Sequence, residues 1–137
     1  MANLYGRQFG LTKEAIVVDL FARVTFAAAG VPTLVTAQSK GFRSITRNSQ
    51  GVFTFVLGNS NQIDKYVKLL AIQVLNDTIG AVGVPAAPLY YLSANAVAGA
   101  AGSFQLTFTD DAGATATDPG NGEAIYLHIS LSNSTAY

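Results

Sequence analysis

Residues 15–26 read AIVVDLFARVTF, and the alternate members Ile16, Val18, Leu20, Ala22, Val24 and Phe26 are all apolar, whereas the other set includes Asp19, Arg23 and Thr25. A period of two over this length predicts a long β-strand with one buried face. Gly30 and Pro32 then break the pattern. Shorter extended runs follow at 33–37, 41–47 and 52–57. The last of these places Phe53, Phe55 and Leu57 on one face. Asn48-Ser49-Gln50-Gly51 is a turn signal in which the glycine is free to take a positive φ, so 44–47 and 52–57 are predicted to form a hairpin.

Residues 66–75 form a nearly continuous apolar run, as expected of a strand covered on both faces. A Gly/Pro/Ala-rich loop at 76–88 leads to a short strand at 89–92. The small-residue stretch 93–102 reads as loop. The clearest alternation comes last. Phe104, Leu106 and Phe108 share a face in 103–109, and Ile125, Leu127, Ile129 and Leu131 share one in 125–131. The intervening 110–123 is rich in Asp, Gly and Pro, so these two strands are predicted to pair antiparallel across a long exposed loop.

About eight strands at spacings of 8–15 residues, without a sustained helical period, predict an all-β chain. The expected architecture is a single-domain antiparallel β-sandwich, jelly-roll-like, at residues 14–137. Residues 1–13 have no clear period and read as an extended N-terminal arm carrying Tyr5, Arg7 and Phe9.

Composition adds a constraint on the surface. Half of the 137 residues are hydrophobic and only 12% are charged, against about 25% in a typical soluble domain. Much of the exterior must then be neutral or apolar, which favours an assembled protein whose surface is partly covered by other chains. The net charge of zero argues against a general nucleic-acid binder or a membrane-surface protein. The charges are unevenly spread. Up to Lys68 eight bases face three acids, giving +5, and the remainder holds five acids and no base, giving −5. In a sandwich the two halves interleave, so interspersed charges are expected more than two opposed faces.

With no cysteine, disulfides, thiolate metal sites and cysteine nucleophiles are excluded. The first residues lack the apolar core of a signal peptide and no run is long enough to span a bilayer as a helix, so synthesis in the cytoplasm is expected.

His128 is the only histidine and falls on the polar side of the last strand, where a lone imidazole reads as a surface or interface residue. A Ser–His–Asp site would have to use it without any G-x-S-x-G elbow. Asp110, Asp111, Asp118 and Glu123 concentrate carboxylates in one loop. They could hold Ca²⁺, although Asp is equally an ordinary turn former. No phosphate-binding glycine motif is present. The sequence thus predicts no catalytic, cofactor-binding or metal-binding residue, and no enzyme. Lys40, Arg43 and Arg47 are expected to form a small basic patch around Phe42 that meets a protein partner. Six tyrosines (Tyr5, Tyr66, Tyr90, Tyr91, Tyr126 and Tyr137) suit protein interfaces as well as they suit the roof of a core.

The stretches LFARVTFAAAGVPTL, SKGFRSITRNSQGVFTFVL, YVKLLAIQVLND and FQLTFTDDAGATATDPGNGEAIYLHISLSNS, in this order, resemble the small β-proteins of tailed bacteriophages. In particular they are similar to capsid decoration, or cement, proteins over most of residues 15–134. The resemblance implies a homotrimer on the virion exterior that binds the major capsid protein at local three-fold points. It also implies that the arm, with Tyr5, Arg7 and Phe9, orders on that partner. The piece from G-x-x-S-I-T-R to G-V-F-T-F also resembles trimeric phage fibre domains. The alternative is therefore a fibre or spike domain that binds a host glycan or surface protein through loops 110–124 and 59–61 and exposed tyrosines. The absence of tryptophan weighs against it.

Overall fold

The computed structural model describes residues 17–58, 68–76, 89–98, 102–110, 113 and 115–132. The arm at 1–13, with Tyr5, Arg7 and Phe9, lies outside the described residues, as do loop 59–61 and Asp111. Eight strands follow one another: β1 (Val17–Phe26), β2 (Pro32–Leu34), β3 (Phe42–Ser49), β4 (Val52–Leu57), β5 (Lys68–Asn76), β6 (Leu89–Ala96), β7 (Ser103–Thr109) and β8 (Ala124–Ser132). Two 3-10 turns, Ala28–Gly30 and Thr36–Gln38, are the helical elements among the described residues.

The strands form two four-stranded sheets, ordered β2-β1-β8-β5 and β3-β4-β7-β6, and every pairing is antiparallel. The chain is an all-β sandwich. Its winding is jelly-roll-like in one respect: β1 pairs with β8 and β4 with β7, as when a long antiparallel ribbon is rolled up.

The period of two in β1 has the predicted consequence. Leu20, Ala22, Val24 and Phe26 are buried, and they lie opposite Ile129, Leu127, Ile125 and the turn before β8. The facing sheet supplies Phe53, Phe55 and Leu57 from β4 and Phe104, Leu106 and Phe108 from β7. Six phenylalanines sort into two clusters. Phe26, Phe53 and Phe108 meet edge to face at 5.3–6.5 Å and join the two sheets. Phe55 and Phe104 stack at 5.2 Å, with Phe42 edge-on to both. Such pairs each add about 0.5–1.5 kcal/mol beyond simple burial.

The β3–β4 hairpin forms as predicted, and its turn depends on Gly51, whose φ is +72°. The turn is also closed from outside. Phe108 donates its N–H to the Gly51 carbonyl at 2.7 Å, and Thr117 donates to the Phe108 carbonyl at 2.9 Å.

Three expectations are corrected. The 103–109 and 125–131 strands do not pair with each other: β7 lies between β4 and β6, and β8 lies between β1 and β5. Both alternating faces point into the same core from opposite sheets, so the connection crosses the sandwich instead of closing a hairpin. The apolar run of β5 is an edge strand covered on one face only, with Leu70 and Leu75 left 45% and 54% exposed. The strand expected at 89–92 continues to Ala96 because β7 offers it a partner along its whole length.

Candidate functional site

The outward faces of the two sheets both mix polar and apolar side chains. On β3-β4-β7-β6 the outward positions include Ser44, Thr46, Thr54, Gln105 and Thr107. Their polar groups are mutually engaged. Thr54 Oγ1 accepts from Asn48 Nδ2 at 2.8 Å and from Gln105 Nε2 at 3.3 Å, and Ser93 Oγ donates to the Gln105 carbonyl at 3.2 Å. The face is not purely polar: Thr107 is buried, its cross-strand neighbours are Val52 and Tyr91, and Tyr91 is exposed.

On β2-β1-β8-β5 the register lines up three transverse rows: Arg23–Tyr126–Leu75, Phe21–His128–Gln73 and Asp19–Ser130–Ala71. Phe21 is 46% exposed in the middle of β1, and Val17 is 57% exposed at its start. Leu70 is the extra residue of a bulge in β5, adjoining Leu69 and Ala71. The result is a mixed face on which Val17, Phe21, Leu70 and Leu75 stand exposed among Asp19, Arg23, Gln73, His128 and Ser130. A patch of this kind marks an interaction surface.

Arg23, Asp19 and His128 on this face are locally engaged, and Lys68 stands at its end in the row of Val17 and Ser132. The Arg23 guanidinium lies over the Tyr126 ring at 5.8 Å, within cation–π range. Asp19 Oδ1 accepts a hydrogen bond from Ser130 Oγ at 2.5 Å and lies 3.4 Å from His128 Nε2. These three types are those of a catalytic triad, but the carboxylate sits between the hydroxyl and the imidazole. Activating a serine requires the imidazole to accept the hydroxyl proton directly, and this arrangement instead directs that proton to Asp19. Its chemistry is a polar clasp between β1 and β8.

The predicted basic patch is not assembled as expected. A bulge at Arg43 shifts the register of β3, so Ser44 pairs with Val56 after Phe42 has paired with Leu57. Arg47 thereby falls on the inward side, opposite Phe53, and binds Asp118 with both limbs of its guanidinium: Nε to Oδ1 at 2.9 Å and Nη2 to Oδ2 at 2.7 Å. Lys40 is drawn away to the other sheet, its backbone N–H donating to the Phe21 carbonyl at 2.7 Å. Lys40 and Arg43 stay exposed, and Arg47 belongs to a structural ion pair that joins the basic and acidic halves of the sequence.

The acidic loop is largely occupied with its own architecture. Asp118 Oδ1 also accepts from the Gly51 N–H at 2.8 Å. Arg47 hydrogen bonding, helped by the Gly51 N–H, holds the Asp118 carboxyl below the usual carboxylate range against the opposing effect of partial burial. The Asp110 backbone closes a turn with Thr115 and Gly113. Glu123 is buried; its Oε2 accepts from Gly120 N–H at 2.5 Å and its Oε1 has no partner. Among the described residues no three His, Cys, Asp or Glu side chains converge as a metal site would require.

The sequence pattern identified His128 as outward-facing and Tyr126 as its neighbour on that face. It did not mark Phe21, Leu70 or Leu75, because an apolar residue on the wrong phase of a strand looks the same as a core residue. Comparison of the chain with protein families, curated proteins and solved structures found no match.

Proposed function

We propose that this chain is a virion structural protein of the capsid decoration, or cement, kind. It is made in the host cytoplasm and binds the major capsid protein on the exterior of the assembled head as a homotrimer. The observation that carries this reading is the set of exposed apolar side chains on the outward side of β2-β1-β8-β5, Phe21 and Leu75 among them, in a chain whose charged fraction is half the usual one. A protein built this way is at its most stable when neighbours cover it. The neighbours are proposed from the resemblance of strand order and turn chemistry over residues 15–134 to decoration proteins.

The mechanism is thermodynamic. Subunits that bind the expanded shell better than its precursor stabilise the expanded state by their differential affinity, summed over many sites. Tyr5, Arg7 and Phe9 of the arm, with the exposed Lys40 and Arg43, are the residues proposed to meet the shell; Arg47, held by Asp118, is not.

The test is quantitative mass spectrometry of purified particles. Hundreds of copies per virion support a cement role. A few dozen or fewer favour the fibre or spike reading, in which loop 110–124 and exposed tyrosines bind a host surface. Absence from particles overturns both.

A further inference from the structure

We infer that Asn121 is a site of covalent modification, where the side-chain amide becomes a carboxylate through a cyclic imide at a rate set by opening of its own turn. The chemistry depends on the residue that follows. Asn121 is the one asparagine in the chain that precedes a glycine. Gly122 sets no side chain in the way of its own nitrogen, and both residues are exposed. A Cβ at Gly122 would meet nothing within 4 Å, so the backbone has open space in which to rearrange.

The Gly122 nitrogen attacks Asn121 Cγ. The N–Cγ bond forms, the Cγ–Nδ2 bond breaks, and the amide leaves as ammonia with the proton that the Gly122 nitrogen gives up. Water then opens the five-membered ring. Cleavage of the new bond to Cγ leaves aspartate. Cleavage of the bond to the Asn121 main-chain carbonyl carbon leaves isoaspartate, in which the chain runs through Cγ and is longer by one methylene. Either product is a carboxylate, negative at neutral pH.

The fold withholds the nucleophile. The Gly122 N–H that must be given up donates to the Phe26 carbonyl at 2.9 Å, and the Phe26 N–H donates to the Glu123 carbonyl at 2.9 Å. Gly122 has a φ of +85°, as at the third position of a type II turn, and the Glu123 N–H closes that turn on the Gly120 carbonyl at 3.0 Å. The buried Glu123 side chain braces it from within, Oε2 accepting from the Gly120 N–H at 2.5 Å. Reaction therefore requires a local opening that breaks the bond to Phe26 while the sheets stay paired. Once isoaspartate forms, the added methylene puts Gly122 out of register with Phe26, and the end of β1 loosens from the start of β8. The modification is a one-way record of how often this turn has opened. It does not rest on the cement reading.

Peptide mass mapping of the purified full-length chain, incubated at mildly alkaline pH, tests it. The peptide that holds Asn121 should change from amide to acid and resolve into aspartate and isoaspartate forms by chromatography. Conversion in native buffer should be at least about tenfold slower than in guanidinium chloride, because the turn's hydrogen bonds must open first. Glu123→Ala removes the inner brace and should speed native conversion about threefold or more while leaving the unfolded rate unchanged. If Glu123→Ala does not fold, deuterium exchange of the parent replaces it: protection of the Gly122 amide should match the ratio of the two conversion rates. The isolated isoaspartate form should melt below the parent. Equal rates in the folded and unfolded chain overturn the inference, as does an Asn121 that stays an amide in both. A folded Glu123→Ala chain that converts no faster, an unprotected Gly122 amide, or an isoaspartate form as stable as the parent also overturns it.

Discussion

Arg47 and Asp118 lie 71 positions apart in the chain and meet as a two-pronged pair, at 2.9 and 2.7 Å, with the Gly51 N–H completing the coordination of the carboxylate. This contact fastens the long β7–β8 connection to the β3–β4 turn. It holds the connection as it crosses the sandwich, together with the Thr117 N–H on the Phe108 carbonyl and the Gly122 N–H on the Phe26 carbonyl.

The pair makes stability depend on pH in a defined direction. Because the folded Asp118 carboxyl is held below its usual range, its contribution is fully present above the unfolded value of about 3.9. It is lost as pH falls through the lower folded value. Asp118→Asn should therefore melt several degrees below the parent at pH 7, and the gap should close on acidification below about pH 4. Thermal melts at pH 7, 4 and 2.5 check this. A gap that stays constant would mean that the carboxylate charge plays no part.

Gly51 and Gly122 separate two costs of replacing a glycine. Both have positive φ, +72° and +85°. A Cβ at Gly51 would lie 2.6 Å from the Phe108 carbonyl oxygen and from the Thr117 nitrogen, whereas one at Gly122 meets nothing within 4 Å. Gly122→Ala should cost only the backbone strain, about 1–2 kcal/mol. Gly51→Ala adds the displacement of rigid backbone and should cost about 3 kcal/mol or more. Urea denaturation of the two variants measures the difference, and equal costs would show that the close approach at Gly51 is relieved.

How far the sequence reveals this fold depends on what each pattern encodes. Alternation shows which face of a strand is buried, so β1, β4, β7 and β8 are legible residue by residue. It does not show which sheet the strand joins, so β7 and β8 read as a hairpin although they pack face to face. The bulge at Arg43 changes the parity of everything after it on β3, turning Arg47 inward. No local signal announces such a bulge, and none links Arg47 to Asp118. The candidate face was legible only as a surplus: too few charges overall, and a β5 run too apolar for an edge.

Phe53 tests the aromatic core where the sheets meet. It is fully buried, edge-on to Phe26 at 5.3 Å and to Phe108 at 5.6 Å. Phe53→Ala should cost about 3–5 kcal/mol, because two other rings lose their partner and the cavity lies between two sheets that cannot close independently. Tyr91→Ala, at an exposed position on the outward side of β6, should stay within about 0.5 kcal/mol. Paired denaturant melts read both.

The open edge of the sandwich supplies the last test. β5 and β6 are the edge strands of their sheets on this side, and an edge strand leaves backbone donors without a ladder partner. The Tyr90 hydroxyl on β6 accepts from the Val74 N–H on β5 at 3.2 Å, while its ring leans against Phe108. One side chain thus caps the free edge of one sheet while packing on the core of the other. Tyr90→Phe keeps the ring and removes the cap, so it should cost about 1 kcal/mol. Its specific signature is local: the Val74 amide should exchange with deuterium markedly faster than in the parent, while the Leu127 amide in the central strand β8 slows or quickens only with global stability. If the Val74 amide keeps its protection in Tyr90→Phe, something other than the phenol occupies that edge. A second chain continuing the sheet past β5 would do so, and the protection would then fall with dilution.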